Sequence, residues 1–166
     1  MNISFKNPLT ARIVEFLVGI GLPINRGEVP DDTFLPGILV RDGGLVIDEA
    51  KLLYPGDLLH EAGHLAVAPA GIRPSINGEV FLPGLNPGVI EVQAILWSYA
   101  AALHIAIDPE IVMHEHGYFG RSPSLLANFR NDIFMGLPGL VSAGMTQAPS
   151  AITKDGFPTM QKWLAD

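Results

Sequence analysis

His60-Glu61-Ala62-Gly63-His64 places two imidazoles four positions apart, with a carboxylate directly after the first. On a helix, residues four apart lie one above the other, so both rings can offer a nitrogen to one ion. Glu61 is the angular neighbour of His60 and stands beside the ion's open position, where a carboxylate can take a proton from bound water. The two middle residues are uncharged, and the flanking Leu58, Leu59, Leu65, Ala66 and Val67 are apolar. Two histidines and a glutamate are costly in such surroundings without partners, and a metal supplies them. The chain has no cysteine, so thiol catalysis, disulfides and Cys-ligated zinc are excluded and any metal site is built from histidine and carboxylate.

Through this pentapeptide the chain resembles the zincin metallopeptidases, whose active-site helix carries HExxH with uncharged middle residues. The nearer likeness is to short gluzincin-like peptidases, in which a strand pair leads into the HExxH helix and a later helix supplies a glutamate ligand. It covers about residues 37–106. HEAGH also occurs in ATP-dependent membrane-anchored metalloproteases, but this chain has no GxxxxGK[ST] loop. The resemblance implies a zinc cofactor, with His60 and His64 as ligands and Glu61 as general base.

Glu91 is the candidate third ligand. It lies 27 positions after His64 and is the sole acidic residue between Val80 and Ile107. Ser98 and Ala102 fall on nearly its face of a helix, and such small residues admit close approach of the motif helix. The bland alternative is a carboxylate that meets the helix dipole in a first turn. His114 and His116, within Met113-His114-Glu115-His116-Gly117-Tyr118, compete for the third position. Two departures from the family pattern stand out. Asp57 precedes His60 by three residues, where zincins commonly have an apolar residue or threonine. The acid that gluzincins place four residues after the glutamate ligand is Ile95 here, which leaves Asp57 or Asp48 to support a ligand histidine. Tyr118, or either nearby histidine, has the residue type that steadies the oxyanion when water attacks a carbonyl.

The elements that must hold these groups are legible in outline. Residues 8–19 repeat apolar side chains at three- and four-residue intervals, which predicts an amphipathic helix. Residues 25–36 read as a polar surface loop. Two β-branched runs, 38–41 and 45–48, flank Asp42-Gly43-Gly44 and predict a hairpin whose edge could hold an extended peptide. Asp57 is placed to N-cap a helix over 58–68 that stops at Pro69. Prolines 69, 74, 83 and 87 make 69–87 a constrained connection. Residues 88–107 are long enough to span a bilayer. They contain Glu91, Gln93 and His104 without basic flanks, which predicts a helix buried in the domain and no membrane association. His104 and Trp97 share another face of it and read as packing residues. Residues 110–121 show no clear period, a helix is expected from Ser122 to about Phe134 with Ser122 as cap, and a short one over 160–164. Arg73, Arg121 and Arg130 could hold a substrate carboxylate, but isolated arginines read rather as solvated surface residues.

With 166 residues the chain suits one domain over 1–166. Its formal charge of −7 argues against nucleic acid as a partner. Charged residues are only 16% of the chain and apolar ones 48%, which excludes disorder and leaves apolar surface through which a homodimer could form. The first 23 residues do not read as a signal peptide, which places the expected location in the cytoplasm. The expected fold class is α+β, mainly helical, with a small antiparallel hairpin or sheet beside the HExxH helix; the alternative is all-α. The expected function is that of a zinc-dependent hydrolase, a small metallopeptidase acting on a peptide or protein substrate. The rival is a non-catalytic zinc-stabilised binding domain whose ion is closed by a fourth protein ligand, His114 or His116. A di-iron carboxylate bundle needs a second Glu-x-x-His, and the chain has none.

Overall fold

The computed structural model describes residues 4–80, 82–148 and 159–166. The first helix, α1 (Pro8–Gly19), begins where Asn7 Oδ1 accepts the Leu9 and Thr10 amides and Pro8 takes the first helical position. Its apolar face buries Ile13, Val14 and Leu17.

The predicted hairpin is present as β2 (Ile38–Arg41) and β3 (Gly44–Ile47), antiparallel with Val40 opposite Leu45. Asp42 and Gly43 form its two-residue turn at φ of 49° and 70°. That is the doubly left-handed turn that matches strand twist. A side chain at Gly43 would strike the Arg73 carbonyl. The sheet holds one strand more than expected. β1 (Ile24–Arg26) pairs parallel with β3, which gives the order β1-β3-β2 and a mixed sheet. The stretch read as a surface loop from Asn25 therefore begins in a strand. Only Ile24 of its three residues is buried, so no alternation marks it, and a partner 21 positions away defines it.

The motif helix, α2 (Asp57–Val67), starts one residue earlier than expected. Gly56 occupies the cap position and Asp57 the first helical one, so Asp57 makes no capping bond. The long helix, α3 (Pro87–His104), is capped by Asn86 Oδ1 accepting from the Gly88 amide at 2.8 Å, and ten of its residues are buried. α2 and α3 meet through small residues. A Cβ placed on Gly63 would lie 2.7 Å from the Ala94 carbonyl oxygen. Between them the connection is irregular apart from a 3₁₀ turn at Arg73–Ser75, as its prolines require. Among the described residues no helix is long and apolar enough to cross a membrane.

Downstream, α4 (Ser122–Arg130) is shorter than expected, and Ser122 is its first helical residue; its hydroxyl donates to the His114 carbonyl at 2.7 Å instead of capping. α5 (Leu137–Ser142) was not apparent in the sequence, and residues 159–166 form no helix. Backbone groups there bond to distant partners: the Gln161 amide to the Met145 carbonyl, the Ala165 amide to the Ala66 carbonyl, and the Trp163 carbonyl to the Trp97 indole at 3.0 Å. Trp97 is fully buried, and with Phe16, His104 and Trp163 it makes an aromatic cluster, as the packing reading of Trp97 and His104 anticipates. The protein is thus mainly helical α+β, with five α-helices and a three-stranded sheet among the described residues and a core that joins them.

Candidate metal centre

α2 presents His60 and His64 one turn apart, with their Nε2 atoms 3.2 Å from each other. Close packing against α3 at Gly63 and Ala94 brings Glu91 across, one helical turn before Ala94. One carboxylate oxygen lies 3.6 Å from His60 Nε2 and the other 3.0 Å from His64 Nε2. All three donor atoms fall within 4.8 Å of one another. A tetrahedral zinc ion with bonds of about 2.05 Å holds its ligand atoms about 3.3 Å apart. The separations of 3.2, 3.6 and 3.0 Å, the last two made by different Glu91 oxygens, scatter around that spacing, and a set of two imidazoles and a carboxylate suits zinc or another borderline divalent ion.

Burial pushes the His60 imidazole down to about 4, helped by its neighbour His64, so it is neutral near pH 7, as a ligand must be. Burial acts on Glu91 in the opposite sense, but the hydrogen bond from His64 and the nearby imidazoles prevail, and its carboxyl lies below the usual range. Glu61 is raised, chiefly by burial. His64 opposes that rise, and Glu91, Asp57 and Glu79 add to it. A cleft of about 150 Å³ adjoins the cluster, walled by Val80, Leu82, Leu85, Pro87 and Ile90 together with His64 and Glu91.

Tyr118 sits behind His60. Its hydroxyl is 3.3 Å from Nδ1, the ring nitrogen remote from the three-atom cluster, and the two rings meet edge to face at 5.2 Å. Ser98 of α3 adjoins the same phenol, whose pKa is raised by burial. The backbone of Tyr118 and Phe119 is left-handed, with φ of 53° at both. For side chains with a Cβ this costs on the order of 1–2 kcal/mol per residue. The loop is held there from several sides. His114 Nε2 meets Asp57 Oδ1 at 3.0 Å and its ring stacks on Tyr54 at 3.9 Å, while Ser122 ties down the His114 carbonyl.

Of the sequence candidates, His60, His64 and Glu91 converge. His114 is turned to Asp57, and the exposed His116 lies beside Glu115. Neither enters the cluster. Asp48 accepts from the Val29 and Ala50 amides and Asp57 is taken by His114, so neither supports His60 or His64. Tyr118 takes that place, 58 residues from the imidazole it touches, and nothing local in the sequence could have paired them. Arg73 was also missed. It donates to the Leu65 and Ala68 carbonyls, both at 2.8 Å, and to the Ala165 carbonyl at 2.6 Å, closing the C-terminal end of α2. The outer edge of β2 is partly covered, since the Val40 carbonyl accepts from the Gly78 amide and the Asp42 amide donates to Asn77. That removes part of the edge expected to receive a peptide. No protein-family model, no curated protein and no solved structure matches this chain.

Proposed function

We propose that this chain is a zinc-dependent hydrolase, a small metallopeptidase, with His60, His64 and Glu91 as ligands and Glu61 as general base. The observation behind this reading is the meeting of two Nε2 atoms and one carboxylate, delivered by two helices at the spacing of a tetrahedral coordination shell. Zinc, when bound, would polarise a carbonyl and acidify a water. Glu61 takes a proton from the water as its oxygen adds to the carbonyl carbon, and passes it to the leaving nitrogen as the C–N bond breaks. Its raised carboxyl pKa brings it closer to neutrality, which suits a group that must both accept and release a proton.

Three protein ligands favour catalysis over a closed structural ion. Among the described residues no fourth donor joins the cluster. The side chain of Glu91 is 42% exposed, so the cluster opens to solvent on that side. The apolar cleft beside His64 and Glu91 suits a substrate that presents an aliphatic side chain next to the cleaved bond.

Elemental analysis of the purified protein equilibrated with zinc should give one ion per chain, lost in His60→Ala. Digestion of a mixed peptide library should yield new amino termini, and Glu61→Gln should abolish them while zinc stays bound. A protein that takes up no divalent ion, or hydrolysis that survives Glu61→Gln, overturns the proposal.

A further inference from the structure

The hydrogen-bond partners of His60 fix more than its position. Ser98 Oγ donates to the Ile95 carbonyl at 2.8 Å, which commits its one proton and leaves only lone pairs. The phenol of Tyr118 lies against that hydroxyl on one side and His60 Nδ1 on the other. With its proton committed, Ser98 leaves the phenol to its contact with His60, and the phenol oxygen lies 3.3 Å from Nδ1, within reach of an Nδ1–H.

The opposite side of the ring gives the same answer independently. His60 Nε2 and His64 Nε2 are 3.2 Å apart, too close for both to carry hydrogens. His64 Nε2 also faces a Glu91 oxygen at 3.0 Å, which requires a donor. In the metal-free protein the cluster's hydrogen therefore belongs to His64, and His60 Nε2 presents a lone pair.

We infer that Tyr118, backed by Ser98, is the positioning residue that holds His60 as its Nδ1–H tautomer and keeps Nε2 free to donate to an ion. The contact is neutral, imidazole to phenol, with the Ser98 side chain of α3 beside the phenol. It crosses from α2 through the 113–122 loop into α3, and so couples the aim of a ligand to the seating of that loop. The left-handed backbone at Tyr118 and Phe119 fits this role, because a strained loop persists only where its surroundings over-determine it. His64 has no such support: its Nδ1 is buried without a partner among the described residues. The two imidazoles are thus unequal, one set in advance for coordination and the other needing to shift its hydrogen. The use of this device in metal binding rests on the proposal above, whereas the tautomer itself does not.

Long-range ¹H–¹⁵N correlation spectra of the chelator-treated protein at pH 8 read the tautomer directly, since protonated and unprotonated ring nitrogens resonate far apart. His60, assigned by its loss in His60→Gln, should show a protonated Nδ1 and a bare Nε2. Tyr118→Phe keeps the ring and removes the acceptor. It should move His60 toward the Nε2–H form, leave the His64 tautomer as it was, and weaken zinc binding by roughly 10- to 100-fold. A proton on His60 Nε2 in the wild-type protein overturns the inference, and that measurement stands even if Tyr118→Phe fails to fold. An unchanged His60 tautomer and unchanged zinc affinity in a folded Tyr118→Phe protein overturn it as well. A protonated Nδ1 in a protein that binds no zinc upholds the tautomer assignment and defeats only the metal proposal.

Discussion

Gly63 is the fourth residue of the motif and sits where α2 touches α3, so Gly63→Ala tests the contact that joins the two halves of the site. An added methyl would stand 2.7 Å from the Ala94 carbonyl oxygen and 3.2 Å from the Ala94 Cα and carbonyl carbon, all backbone atoms with no rotamer to yield. Restoring ordinary contact of about 3.4 Å requires the helices to part by about 0.7 Å locally. Helix propensity favours alanine over glycine by about 1 kcal/mol, while forced overpacking costs about 1–3 kcal/mol. The net expectation is a loss of up to about 2 kcal/mol, a Tm lower by up to roughly 4–8 °C for a chain of this length. Urea melts with chelator present measure the packing effect free of metal. Zinc titration should then show weakened affinity, because Glu91 travels with α3. Gly19→Ala is the matched control: Gly19 also ends within a helix, but a methyl there meets nothing within 4 Å, and the substitution should stabilise by up to about 1 kcal/mol. If Gly63→Ala stabilises as Gly19→Ala does, the close crossing of α2 and α3 at that residue is refuted, and with it the reason Glu91 reaches the histidines.

Two further predictions concern stability. His60 ionises near 6.5 in an unfolded chain but only near 4 when folded, so the native state binds fewer protons between those values; its contribution is complete above pH 6.5 and is lost as pH falls toward 4. Between pH 7.5 and 4.5 the metal-free wild-type protein should lose on the order of 2–3 kcal/mol more than His60→Gln, and parallel pH profiles in urea melts would disprove this. Arg73→Met keeps the aliphatic stem but removes three charge-assisted hydrogen bonds, for an expected loss of about 1.5–3 kcal/mol together with faster hydrogen exchange at the Ala165 amide. Full protection of that amide in the variant would contradict the clamp.

The His60/His64 pair was legible because four-residue spacing on a helix is a local fact, and Glu91 because a lone carboxylate in an apolar helix has few other uses. The hairpin was legible from Asp42-Gly43, where turn chemistry dictates geometry. What escaped was non-local. Asp57 has the residue type and position of an N-cap, but its carboxylate is claimed by His114 from 57 residues away. β1 is three residues long and takes its identity from β3. The expected helix over 160–164 yields because its amides and carbonyls are engaged by Met145 and Trp97. Arg73 looked like a solvated charge and proved to be the stopper of α2, since a sequence does not show which helix end lies nearby. Tyr118 suggested chemistry by its type, but the atom it touches is set by a loop conformation that two left-handed aromatic residues would not advertise.

The end of α2 is finished by residues about one hundred positions downstream: the Ala66 carbonyl is satisfied by the Ala165 amide, and Arg73 bridges Leu65 and Ala68 to the Ala165 carbonyl. During vectorial synthesis on a ribosome the two histidines therefore emerge long before the last of the groups that close their helix. Until residue 165 clears the exit tunnel, Arg73 can cover the Leu65 and Ala68 carbonyls, but the Ala66 carbonyl lacks its Ala165 partner. The turn that follows His64 therefore reaches its finished form only once residue 165 has been made and docked.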